Sequence, residues 1–68
     1  MPRWEQYEIW VLKGEKWELA ASFADFDVAT AVHNARSGGK RLIYKVFEDG
    51  QVVHQDILAE LRPTREHP

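Results

Sequence analysis

The chain has 68 residues, 44% of them apolar and 29% charged, with a formal net charge of −2. This balance excludes global disorder, which needs low hydrophobicity and high net charge. It also weighs against nucleic-acid binding, which usually draws on a basic excess to displace counterions from phosphates. The lack of cysteine rules out disulfides and cysteine-based metal sites.

The length fits one small domain, residues 1–62, followed by a polar, flexible tail, residues 63–68. A domain of this size buries only about 60% of its unfolded surface, so a partner or a staple matters to its stability. "MPRWEQYE" holds no apolar run that would serve as a signal peptide, and no segment is long enough to span a bilayer. The expectation is a soluble cytoplasmic protein without membrane contact.

In chain order, the first strand is expected from Trp4 to Leu12 and the second from Trp17 to Phe23. Lys13 to Lys16 form the turn, with Gly14 free to take a positive φ. Ile9, Trp10, Val11 and Leu12 run together, so both faces of the first strand are apolar. An even loop places Trp10, Leu12, Trp17, Leu19, Ala21 and Phe23 on one face. An odd loop or a bulge instead groups Tyr7, Ile9 and Val11 with Trp17, Leu19, Ala21 and Phe23, leaving Trp10 and Leu12 outside. The bulged register is favoured because it segregates polarity better.

Beyond Phe23 the period changes. Val28, Ala31, Val32 and Ala35 fall on one helical face. Asp27 is the expected N-cap, with Phe26 and Ala31 as a hydrophobic staple, and Gly38 or Gly39 ends the helix. The third strand is expected from Lys40 to Glu48, the hairpin turn at Asp49-Gly50, and the fourth strand from Gln51 to Leu58. A two-residue turn pairs Glu48 with Gln51, Val46 with Val53, Tyr44 with Gln55 and Leu42 with Ile57, and this face meets the helix. The opposite face then carries Ile43, Lys45, Phe47, Val52, His54 and Asp56. The predicted fold is α+β, order ββαββ: a four-stranded, mainly antiparallel sheet with one helix packed on one face.

No catalytic constellation emerges. His54 and Asp56 share a strand face, read as a mixed-charge surface. His33 lies off the apolar helix stripe, and His67 has no partner in the sequence. Asp25 and Asp27 are explained by helix capping, and no carboxylates are forced together on an apolar background. No serine–histidine–acid set can be placed, and neither metal nor cofactor is expected. Arg36, Lys40 and Arg41 flank two glycines, but this cluster follows a helix. A helix C-terminus presents carbonyls and favours cations over phosphate. The three are read as dipole-complementing residues and as candidate contacts for an anion or an acidic partner.

The aromatic residues Trp4, Tyr7, Trp10, Trp17, Phe23, Phe26, Tyr44 and Phe47 exceed what one helix covers. Base stacking is the alternative use of such an aromatic sheet, but the element order differs from that of RNA-recognition modules and interleaved cations are few. Tryptophan and tyrosine are enriched at protein interfaces. The candidate interface is therefore Trp10, Leu12, Ile43, Phe47 and Val52, with a homodimer or another protein as partner. The alternative is a nucleic-acid or phosphate-ligand module using Arg36, Lys40, Arg41 and Lys45. An independent enzyme ranks lowest.

"WEQYEIWV", Trp4 to Val11, resembles the opening of the non-catalytic structural subunit of the multicomponent phenylacetyl-CoA epoxidase, a Trp-x-x-Tyr-Glu-Val-Phe-Val start. Ser22, Asp27, Ala31, Ala35 and Arg36 match that family's strand end and helix at the same spacing. The resemblance spans roughly Trp4 to Val46. The hairpin loop here is shorter, the helix ends early at Gly38-Gly39, and the whole chain is shorter. The resemblance implies a structural component that dimerises and holds di-iron oxygenase subunits together. It carries over no catalytic or metal residues.

Overall fold

The computed structural model describes residues 2–62. The expected tail, residues 63–68, and His67 within it lie outside the described residues. The elements run β1 (Arg3–Lys13), β2 (Lys16–Phe23), α1 (Phe26–Ala35), β3 (Lys40–Glu48) and β4 (Gln51–Leu61). They form one antiparallel four-stranded sheet in the order β2-β1-β3-β4, with a single helix: the expected ββαββ fold. β1 and β3 are central. β2 and β4 are the edges.

The two hairpin turns follow from their residues. Gly14 has φ 63° while Glu15 keeps a negative φ, which matches a type II′ turn closing on Lys13 and Lys16. Asp49 and Gly50 both take positive φ, 55° and 79°, the signature of type I′. Both turns twist with the strands they join. β4 runs on to Leu61, three residues past the expected end, because Ala59, Glu60 and Leu61 continue to pair with β3.

The registers differ from expectation through bulges. Near its turn the first hairpin is in the even register, with Trp10 opposite Leu19 and Leu12 opposite Trp17. Ala20 is then an extra residue, and beyond it Ile9 faces Ala21 and Tyr7 faces Phe23. Neither register holds throughout: the bulge switches one into the other. Trp17 and Leu19 therefore stay with Trp10 and Leu12, while Ala21 and Phe23 join Ile9 and Tyr7. A one-residue insertion sends each half's large side chains to a different sheet face.

The second hairpin also shifts. Glu48–Gln51 and Phe47–Val52 pair as expected, but Val53 is extra, so Val46 faces His54, Tyr44 faces Asp56 and Lys45 faces Gln55. A second irregularity at Leu58 places Leu42 opposite Ala59 and Ile43 opposite Ile57. His54 and Asp56 consequently stand on the helix side, and Gln55 and Ile57 on the other, the reverse of the simple two-residue alternation.

The helix starts earlier than predicted. Asp25, not Asp27, is the N-cap: its Oδ1 accepts from the Asp27 N–H at 2.7 Å and from the Val28 N–H at 3.4 Å. Phe26 then sits in the first turn and packs edge-on against Tyr7, centroids 5.4 Å apart, instead of stapling to Ala31. This anchor sets the helix phase. Ala29, Val32 and His33 face the sheet, while Val28, Ala31 and Ala35 are exposed. Small apolar residues on two neighbouring stripes make both phases look acceptable in sequence. Gly38 takes φ 87° two residues past the extended Arg36 C-cap, and serves the turn into β3.

The core is small. Ile9, Ala29 and Leu42 form its buried centre, flanked by Tyr7, Phe23, Val32 and Ala59. Ile9 is fully buried, a contribution of about 1.5–3 kcal/mol. The helix covers only this side of the sheet.

Candidate functional site

The uncovered face is built from alternate residues of all four strands. At one end Trp4, Phe47 and Val52 form a row across β1, β3 and β4. The Trp4 and Phe47 rings stack at 4.2 Å and 9°. The next row is polar: Gln6, Lys45 and Gln55. Then come Glu8, Ile43 and Ile57, and then Trp10, Leu19, Arg41 and Glu60. Leu12 and Trp17 complete the far end. The face thus has an aromatic cluster at each end and a charged centre.

That centre is organised by the Glu8 carboxylate. Glu8 is only 4% exposed, although no helix lies over it. Its Oε1 accepts from Lys45 Nζ and from Trp10 Nε1, each at 2.9 Å, and Oε2 accepts from Gln6. Burial pushes the Glu8 carboxyl up, but the bonds from Lys45, Trp10 and Gln6 outweigh it and hold the pKa below the usual carboxylate range. The network fixes the Trp10 indole, and Lys45 Nζ lies 5.6 Å from the Trp10 ring centre. Arg41 lies 4.0 Å above the Trp17 ring and donates to Glu60 at 3.0 Å. The side chains form an organised layer, with Arg41 over the Trp17 indole and Lys45 near the Trp10 ring.

All five expected interface residues stand on this face. Trp10, Leu12 and Phe47 are half-buried, Val52 is exposed, and Ile43 is buried beneath its neighbours. Ile43 therefore supports the surface instead of forming its outer layer. Sequence reasoning missed Glu8, and it named Trp4, Trp17 and Leu19 without placing them in the expected interface. The alternation Gln6, Glu8, Trp10 along β1 was the available signal, since it places a carboxylate between two donors on one face.

The cations Arg36, Lys40 and Arg41 do not converge. Lys40 is buried on the helix side, and its Nζ donates to the carbonyls of His33 and Arg36, each at 2.7 Å. It closes the helix C-terminus, as expected for a dipole-complementing lysine. Arg41 points to the opposite face of the sheet, and Arg36 is exposed. Lys45 is engaged by Glu8.

His33, expected off the apolar helix stripe, is turned toward the sheet. It is 5% exposed and packs inward, with Nε2 unpartnered among the described residues. Burial, and then the Lys40 charge, lower its pKa. His54 Nε2 and Asp56 Oδ2 lie 2.9 Å apart, both well exposed, beside Tyr44. Among the described residues no pocket and no group of three or more metal-ligating side chains is found, and no helix is long and apolar enough to cross a membrane. Comparison with protein-family models, curated proteins and solved structures finds no match.

Proposed function

We propose that the chain is a non-catalytic assembly module that docks another protein through the sheet face away from its helix. The carrying observation is the Glu8–Lys45–Trp10 network at the centre of that face. It commits a buried carboxylate and two further donors, Lys45 and Gln6, to fixing one indole at a surface the chain itself leaves uncovered. An aromatic side chain held in one rotamer loses little entropy on binding, which is what interface anchors require. The aromatic clusters Trp4–Phe47 and Trp10–Trp17 supply the area, and the bonded centre supplies orientation. The resemblance of Trp4 to Val46 to an epoxidase structural subunit gives the proposal a concrete form: a subunit of a multicomponent oxygenase-like complex, acting in the cytoplasm. The nucleic-acid reading receives no comparable support, because its cations are dispersed over two faces or engaged by acids.

The test is Trp10→Ala in tagged chain purified from its own cells. The wild type is expected to co-purify with a stoichiometric partner, and the variant to lose it while keeping its circular dichroism and most of its thermal stability. A wild-type chain that purifies alone, with water-exposed tryptophan emission, overturns the proposal.

A further inference from the structure

β4 is an edge strand of 11 residues, and all but Ala59 are exposed. Its outer N–H and C=O groups have no strand beside them. Long edges are normally protected by lysine, proline, inward-pointing charge, bulges or brevity. β2, the other edge, has 8 residues and carries Lys16 and Glu18. β4 holds no lysine, arginine or proline, and only its two bulges interrupt it.

The sequence of this edge is self-complementary. "VVHQDIL", residues 52–58, reads apolar, apolar, basic, neutral, acidic, apolar, apolar about Gln55. An antiparallel strand related by a two-fold axis through Gln55 sets residue 55 against itself. It then opposes His54 to Asp56 and Val53 to Ile57, each twice, while Val52 and Leu58 lie at or beyond the two bulges. Shifting the axis to Asp56 opposes like charges, which is destabilising. The four apolar residues are matched in exposure as well, at 46%, 52%, 52% and 46%.

We infer that β4 pairs antiparallel with β4 of a second copy of this chain about an axis at Gln55, joining two sheets into one of eight strands. The outer backbone groups bond across the junction, as in other strand additions. Each His54 turns from its own Asp56 to the partner copy's. The junction is a strand edge, separate in position from Trp10 on the central strand β1, so one molecule can pair with its copy while docking another protein.

Sedimentation tests the charge pattern. The wild type is expected to dimerise. His54→Asp sets two acids against each other twice and raises the dissociation constant about ten-fold or more. Adding Asp56→His restores complementarity and the dimer. Trp10→Ala leaves the dimer intact. Register is read by oxidising single-cysteine variants of this cysteine-free chain. Gln55→Cys brings facing Cα atoms to about 4.5–5.5 Å, within disulfide reach, and cross-links rapidly, whereas Gln51→Cys does not. A monomer at ~1 mM, equal cross-linking at both positions, or a dimer lost with Trp10→Ala and kept with His54→Asp overturns the inference. Circular dichroism of each variant separates lost pairing from lost folding.

Discussion

His33 shows how one side chain is placed by its neighbours instead of its own polarity. Phe26 packed on Tyr7 fixes the helix phase, and that phase turns the imidazole inward. There it is stripped of water and set near the Lys40 ammonium. Its folded pKa lies below the ordinary histidine value of 6.5. The unfolded chain therefore binds the proton first on acidification. The stabilisation is complete above 6.5, declines as pH falls below that value, and is gone below the lowered folded pKa. The urea midpoint is expected to fall between about pH 8 and pH 5. His33→Gln, which keeps a polar group and removes the titration, is expected to flatten that fall. An unchanged slope in the variant would assign the pH dependence to other groups. Glu8 acts in a different window, since its lowered pKa matters only as pH falls through and below the carboxylate range.

At the scale of elements, the sequence revealed most where a residue type permits few conformations. Asp49-Gly50 and Gly14 mark turns because positive φ is cheap there, and they position all four strands. A bulge in the first hairpin was expected, but the positions of the bulges were not legible. Ala20, Val53 and Leu58 are ordinary strand residues whose extra placement depends on partners far away in sequence. Their effect is large nonetheless. Val53 moves His54 and Asp56 to the helix side, and Ala20 moves Ala21 and Phe23 to the side of Ile9 and Tyr7. All five expected interface residues still fall on the open face, because β1 and β3, where four of them lie, alternate without interruption against each other. The helix cap lies two residues before its expected place, since both Asp25 and Asp27 suit the role chemically. Only Asp25 accepts from the first-turn N–H groups. Asp25→Ala is expected to cost about 1 kcal/mol in chemical denaturation. Asp27→Ala, which loses only an exposed charge near the helix dipole, is expected to cost about 0.5 kcal/mol or less. Equal losses would show that the dipole, and not the hydrogen bonds, is the main contribution.

For the molecule as a whole, a core centred on Ile9, Ala29 and Leu42 is thin for a sheet with one open face and a bare edge. Small domains are only marginally stable. Any association of the folded form therefore registers directly as folding stability. For a dimer joined through β4, each ten-fold rise in concentration above the dissociation constant adds about 1.4 kcal/mol per dimer, or about 0.7 kcal/mol per chain. For a domain of this length that corresponds to roughly 3–5 °C in Tm. The wild-type Tm is expected to climb by this amount per decade of concentration. The Tm of His54→Asp is expected to be independent of concentration below its raised dissociation constant, because a monomer's unfolding does not change the number of particles. Trp10→Ala should keep the wild-type slope, since its ring lies on β1, away from the paired edge. If Trp10→Ala flattens the slope and His54→Asp does not, the open face is what joins two copies, and the edge strand is left without that role.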